Sequence, residues 1–324
     1  MRNSRRSRPR CASWTIWNGS GGSRSIMVTS STKENSIVLA PLRHLWIERG
    51  LLIFRDGDSH PAFHIGLSRV FGELQVHSVR EILVDGYDEL IQLVSDPATS
   101  SITEVDGVAR AGFIPWHSDQ VFTAQINHGG ILKIVERPAT DGETGFVDQI
   151  EAYQRLPAEL QDRCEQLEVV YQLRPGDFTR FLPYRSLRKI KAAAINDELS
   201  RRAENGDFPP VAHPLVFVQP ETGRKVLNFS PSFALGVLGM PVSEGRALLM
   251  ELARAITNKA LVYDHCWRDG DLVLWDNWRM LHCARGVQPG AIRVGHRTSI
   301  AGDYALGRHL EADELRFVEE QLLA

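Results

Sequence analysis

The stretch LVLWDNWRMLHCARGVQPGAIRVGHRTSI, residues 272–300, decides how the chain is built. LVLWDN and RMLHCARG have the length and composition of strands, and VQPG between Arg285 and Ala291 is turn chemistry. AIRVGHRTSI is therefore expected to fold back antiparallel on the strand of His282, with His282 facing Gly295 to within a residue or two of register. On that strand Arg293, Gly295 and Arg297 share one face. Two guanidinium groups aimed into a β core are costly unless each meets an anion, and arginine suits a carboxylate. The opposite parity, with Val294 and Ile300 as the core face and both arginines in solvent, fits the pattern equally well.

Working outward, the segments REILVDG, DELIQLVSD, GGILKIVERP, GETGFVDQ and EVVYQL read as strands, and HPLVFVQPETGRKVLNFS as a hairpin around Pro220–Gly223. LLIFRDG is a buried strand. SIVLAPLRHLWIERG is expected to be a short strand running into a helix, and SHPAFHIGLSRVFGEL has helical spacing. A helix starts at Leu156-Pro157, a second covers VSEGRALLMELARAITNKALV, and a third lies in SLRKIKAAAINDELSRRAEN. Short strands with grouped helices predict a mainly β protein with helical decoration, a sandwich or jelly roll, and not an alternating parallel α/β fold. No Gly-rich phosphate cradle of the GxGxxG or GxxxxGK[ST] kind occurs.

The composition narrows the partners. With 43% apolar and 24% charged residues over 324 positions, the chain can bury a substantial core, which excludes disordered and fibrous classes. The net charge of −3 hides an uneven distribution: Arg2, Arg5, Arg6, Arg8, Arg10 and Arg24 stand in an acid-free N-terminal segment, leaving about −9 on the remainder. An acidic body gives no reason to expect nucleic acid, and no apolar run is long enough to span a membrane. The four cysteines lack CxxC spacing, which fits a reducing, cytoplasmic setting without a disulfide framework or thiolate zinc site. Residues 1–36 are expected to be a disordered tail or a mis-assigned start, with Met27 as the alternative beginning. Residues 37–324 are expected to form one domain, with a lid insert at 174–210. A homo-oligomer is left open.

PWHSDQVF, residues 115–122, supplies the chemistry. His117 and Asp119 are two residues apart in a strand-like run, so they point to one face. With one further histidine they would make the two-histidine, one-carboxylate set that holds Fe(II) on one side and leaves the opposite positions open. His282 is the best candidate for the third ligand. Without a metal, the pair is a buried histidine bonded to its neighbouring acid.

WHSDQVF, GETGFVD, and DNWRMLHCARG followed by IRVGHRT resemble, in this order, the taurine dioxygenase/2,4-dichlorophenoxyacetate dioxygenase (TauD/TfdA) family of Fe(II)- and 2-oxoglutarate-dependent oxygenases. The similarity runs from about Ile37 to Tyr304 and includes LLIFRDG and FGELQVHSV. It implies a double-stranded β-helix (jelly-roll) core, an iron centre of His117, Asp119 and His282, and Fe(II), 2-oxoglutarate and O2 as cofactor and cosubstrates. It also implies that Arg293 and Thr144 bind the distal carboxylate of 2-oxoglutarate, and that Arg297, Phe113 and His77 lie on the substrate side. No catalytic residue is implied beyond the metal centre. Asp119 fills a position that related halogenases leave to chloride, so hydroxylation is the implied outcome, with bond cleavage where the hydroxylated carbon bears a heteroatom. The apolar AGFIP around Phe113 departs from the asparagine of the taurine enzymes, which points to a bulkier, aromatic carboxylate or sulfonate.

Two other readings of the same residues stay open on sequence. A Zn(II) hydrolase could use the same triad but has no use for Arg293 or Thr144. A metal-free jelly-roll binding protein would hold a small carboxylate in the polar cluster and form no succinate. Asp276 and Asn277 either orient the strand of His282 or form its turn. Trp116 and Phe122 read as core, and Cys283 as a packed thiol.

Overall fold

The computed structural model describes the backbone of residues 11–18, 22–29, 35–76, 82–174, 181–193 and 195–323, and within these the side chains of 41–76, 82–174, 181–193 and 200–322. The larger sheet is antiparallel and contains, in spatial order, Leu51–Phe54, Leu272–Asp276, Gly129–Glu136, Arg293–Ile300, Tyr87–Ser95 and Leu83–Val84. Its Leu51–Phe54 edge is continued by the backbone of Cys11–Asn18, itself paired with Gly22–Thr29. The smaller sheet runs Tyr263–His265, Thr144–Asp148, Met280–Ala284, Ile114–His117. Together the two sheets form a jelly-roll core.

Alternation along the strands builds the layers. Leu51, Ile53, Leu132, Ile134, Val273 and Trp275 point inward and meet Phe146 and Met280 of the smaller sheet. Their neighbours Leu52, Phe54, Ile131, Leu272 and Leu274 point outward, under Leu42 and Trp46 of the helix Asn35–Arg49. Both faces are covered, so LLIF and LVLW are continuously apolar instead of alternating with polar residues. The outer face of the smaller sheet, with Trp116, Val147, Leu281 and Cys283, packs against the helix Val242–Ile256 and a further sheet of Ala234–Val237, Glu168–Tyr171, Val211–Pro214 and Arg308–His309.

Three expectations change. Arg293–Ile300 does not fold back on the His282 strand; it lies in the other sheet, with Gly295 between Ile134 and Leu93. The turn at Gln288–Ala291 does form, but Val287 exchanges both backbone hydrogen bonds with Ala111 and Arg285 N–H donates to Glu143. The backbone groups leading into the turn are thus already paired, and the chain crosses between sheets. The structure decides the parity that the pattern left open: Arg293 is 7% exposed, whereas Val294 faces the same side as its partner Val94, which is 41% exposed. Secondly, Ser36–Leu39 continues the helix Asn35–Arg49 and is not a strand, since a short apolar run carries no period of its own. Thirdly, the helix expected across residues 186–205 begins only at Ile195; Leu187–Lys191 is a strand paired with Ile102–Val105. The helix expected to start at Leu156-Pro157 does so, as Ala158–Cys164 with Pro157 at its N-cap, and a separate helix, Gln149–Arg155, precedes it.

One buried cation ties the layers together. Arg279, 2% exposed, donates to both carboxylate oxygens of Asp148 and to the carbonyls of Ile47 and Glu48 at the end of the first helix. Asp148 in turn caps Gln149–Arg155 by accepting from Ile150 N–H. Arg279→Ala should cost about 3–5 kcal/mol, the usual effect of stranding one member of a buried pair. Arg69→Ala, at an exposed pair with Glu89, should cost under about 1 kcal/mol. Urea denaturation of both variants reads the difference; equal losses would remove Arg279 from this role.

Candidate metal centre

His117 ends its strand and pairs directly with His282 on the neighbouring strand. Their rings lie 4.2 Å apart. Asp119 is not on the strand, as the period-two reading had it, but in the turn that follows, where Gln120 takes a positive φ of 58°. The turn still brings the carboxylate to the same place: Oδ1 is 3.7 Å from His117 Nε2 and Oδ2 is 3.8 Å from His282 Nε2. These separations are too long for hydrogen bonds and suit donors gathered on one cation.

The imidazoles are oriented by backbone. A carbonyl only accepts, so His117 Nδ1–H donates to Pro115 O at 2.8 Å and His282 Nδ1–H to Met280 O at 3.5 Å, leaving both Nε2 atoms bare toward Asp119. Burial pushes His282 down to about 4, keeping it neutral and ligand-ready. Burial pushes Asp119 upward, but Arg297 beside it, with His282, holds the carboxyl well below its ordinary range. Arg297 Nη1 donates to both carboxylate oxygens at 2.8 Å, while its buried Nε has no hydrogen-bond partner among the described residues.

Arg293 projects from the same face of the same strand. Its Nε donates to Gly142 O at 3.1 Å and its Nη2 to Thr144 Oγ1 at 3.4 Å; among the described residues no carboxylate forms an ion pair with it. Burial pushes it down to about 10, opposed by Glu143. A buried guanidinium with only neutral protein partners is an anion site in search of its anion. Thr144 also accepts from Trp267 Nε1 at 3.1 Å, which fixes its hydroxyl. Phe146 and Trp275 flank His282, their ring centroids 6.3 and 5.0 Å from it.

The sequence matches the family described as taurine catabolism dioxygenase TauD, TfdA family, over residues 21–299. The chain belongs to the TauD/TfdA family. It is 31% identical over 269 residues to the alpha-ketoglutarate-dependent 2,4-dichlorophenoxyacetate dioxygenase of Cupriavidus pinatubonensis, covering 81% of this chain and 88% of that one. Against the (S)-phenoxypropionate/alpha-ketoglutarate-dioxygenase of Sphingobium herbicidovorans it is 29% identical, covering 82% and 86%. Its fold is similar to the crystal structure of a taurine dioxygenase from Burkholderia xenovorans, with a TM-score of 0.66 at 23% identity, covering 93% and 97% of the two chains. TauD/TfdA enzymes are dioxygenases that use Fe(II), 2-oxoglutarate (alpha-ketoglutarate) and O2, and this chain is one of them. The donor atoms of His117, Asp119 and His282 all lie within 4.8 Å of one another, a group that could hold a metal ion.

The remaining expectations divide. Phe113 is buried but packs edge-on against Tyr184 at 5.8 Å. That ring lines a cavity of about 600 Å³ with Trp116 and Arg285 on the outer face of the smaller sheet. Among the described residues, the ring contact of Phe113 is with Tyr184 and not with the triad. His77 lies outside the described residues. Trp116 is core, and Cys283 is a packed thiol pushed up to about 12 by burial. Phe122 makes edge contacts with Phe208 and Phe233. No helix among the described residues is long and apolar enough to cross a membrane. Sequence reading missed Trp267 and the Gly142 carbonyl, since neither carries a spacing signal toward Arg293. Thr144→Val should destabilise the protein by about 1–3 kcal/mol, because the Trp267 indole N–H loses its acceptor in a dry site. Thermal and urea melts check this, and an unchanged midpoint would contradict it.

Proposed function

We propose that this dioxygenase hydroxylates a small anionic substrate, a carboxylate, sulfonate or sulfate ester with a bulky or aromatic body, cleaving it where the hydroxylated carbon carries a heteroatom. The observation that carries the reading is the pair of inward arginines on one strand, one beside the triad and one beside Thr144 without an acid of its own. In this reading His117 Nε2, His282 Nε2 and Asp119 hold Fe(II), which when bound couples the oxidation of 2-oxoglutarate to succinate and CO2 with oxidation of the substrate. The donor set fits the ion: two bare imidazole nitrogens and an ionised carboxylate from one side of the cavity.

The chain's own groups do the rest. Arg293 and the Thr144 hydroxyl take the distal carboxylate of 2-oxoglutarate, a charge-assisted contact that a buried guanidinium makes favourable. Arg297 steadies Asp119 and offers its unpartnered Nε–H to the anionic group of the substrate or the nearby cosubstrate carboxylate. His77 is assigned to the substrate side as well. Phe146 and Trp275 supply an apolar wall beside His282, which lowers the local dielectric and strengthens each charged contact. Segment 174–210 is assigned as the cover that excludes water, with Leu187–Lys191 as its fixed edge on Ile102–Val105. The phenoxy-acid relatives, and the alpha-ketoglutarate-dependent sulfate ester dioxygenase of Pseudomonas putida at 27% identity over 80% of this chain and 79% of that one, support an anionic organic substrate.

Two measurements test the reading. Anaerobic addition of Fe(II) and 2-oxoglutarate to metal-free protein should give a weak visible charge-transfer band that Asp119→Ala lacks. A wild-type protein that stays colourless would sink the iron assignment. Arg293→Ala should raise the 2-oxoglutarate concentration needed for that band on the order of 30-fold or more, since truncating a buried charged partner costs at least about 2 kcal/mol. Succinate release across phenoxyacetates, alkyl sulfates and sulfonates then identifies the substrate class, and a panel in which none exceeds the uncoupled background would count against an anionic substrate.

A further inference from the structure

Asn277 is 1% exposed and hydrogen-bonded on both ends of its amide. Oδ1 accepts from Asp119 N–H at 2.8 Å, and Nδ2 donates to Asp119 O at 2.9 Å and to Asn127 O at 3.1 Å. The orientation of the amide is fixed by these partners, because a peptide N–H only donates and a carbonyl only accepts. Asn277 therefore does for Asp119 what a neighbouring strand does for a strand residue, pairing with both backbone groups of a residue that has left its sheet. Its own N–H donates to His128 O at 2.7 Å, next to Gly129 of the larger sheet. It also stands in the turn between Leu272–Asp276 and Met280–Ala284, the strand that carries His282. Both ends of the clamp thus belong to the framework of the triad.

The preceding residues are held from elsewhere. Ser118 N–H donates to Ser230 Oγ at 3.1 Å, and Ser232 Oγ donates to Trp116 O at 2.8 Å. The serines anchor the approach to the turn, while Asn277 alone of these three side chains bonds to the backbone of Asp119.

We propose that Asn277 is a positioning residue that sets the distance of the Asp119 carboxylate from His117 and His282, and so sets metal affinity. Its action is through the peptide groups of Asp119 and not through contact with the metal or substrate. This rests on the reading of His117, Asp119 and His282 as the metal ligands. Neither aspartate nor leucine could substitute: aspartate would set an oxygen against the Asp119 and Asn127 carbonyls, and leucine would leave Asp119 N–H and C=O buried and unpaired.

The test is anaerobic titration of metal-free protein with Mn(II), followed by electron paramagnetic resonance, for wild type, Asn277→Ala, Asn277→Asp and Ser230→Ala, with melts of each metal-free protein alongside. Loss of an outer partner of a metal site typically weakens binding roughly 10–100-fold, and that is expected for both Asn277 variants, with Ser230→Ala close to wild type. The Fe(II)–2-oxoglutarate band of Asn277→Asp should also shift or weaken at saturating metal, which a residue that only stabilises the fold would not cause. Folded Asn277 variants that bind Mn(II) within twofold of wild type, whatever their melting points, overturn the proposal. Failure of both to fold would make Asn277 a scaffold residue and overturn it equally. If wild type itself binds no Mn(II), the triad reading fails first, a result distinct from either.

Discussion

Asp119 is an ionised carboxylate 7% exposed between two β-sheets, and the site depends on keeping it so. An isolated carboxylate in such a place would take up a proton. Arg297 prevents this by donating to both oxygens. That solution has a structural consequence, because the guanidinium must itself be carried into the core. It comes from the larger sheet while the two imidazoles come from the smaller one, so the charged pair spans the sandwich. The two sheets have to be held at one separation for the pair to exist, and the interleaved Leu132, Ile134, Phe146, Trp275 and Met280 between them do that.

The same strand then gives a second inward arginine at no further topological cost. Arg293 and Arg297 are four residues apart, so they share a face, with Gly295 between them. A Cβ at Gly295 would stand 3.2 Å from the side chains of Ile134 and Leu132, and glycine there keeps the strand seated between its neighbours. One arginine has an acid and the other has a threonine hydroxyl and a carbonyl. A cavity with one satisfied and one unsatisfied cation selects anionic ligands by electrostatics before shape is considered.

Much of this was legible in the sequence, and the limits have physical causes. The strands of the sandwich could be read from short apolar runs and turn residues, and the shared face of Arg293 and Arg297 from parity, which left open whether that face points in or out. The pairing could not. A turn such as VQPG is compatible with a hairpin or with a crossing, and the choice depended on Ala111, far away in sequence, taking the bonds of Val287. Motif order pointed to His117, Asp119 and His282, which the structure brings together, whereas the position of Asp119 in a turn, with Asn277 bonded to its backbone, has no local signal. Phe113 was placed on the substrate side by the resemblance alone, at the position that matches an asparagine of the taurine enzymes. Its ring contact with Tyr184 carries no spacing signal in the sequence.

Asp276 shows that a buried aspartate is not ionised by its position alone. It is fully buried and stands six residues before His282, yet burial pushes its carboxyl up to about 7, against the opposing influence of Arg279. The difference from Asp119 lies in where the nearest guanidinium is spent. Arg279 donates to Asp148 and to two helix carbonyls, leaving Asp276 with Trp278 N–H and the Gln219 amide, while Arg297 gives its hydrogen bonds to Asp119. A carboxyl pushed up by burial would have to lose a proton to bind a cation; one held ionised by an adjacent guanidinium would not. What separates the two aspartates is therefore where the nearest arginine spends its hydrogen bonds: Arg279, in the turn just after Asp276, on Asp148 and helix carbonyls, and Arg297, on a strand of the larger sheet, on Asp119.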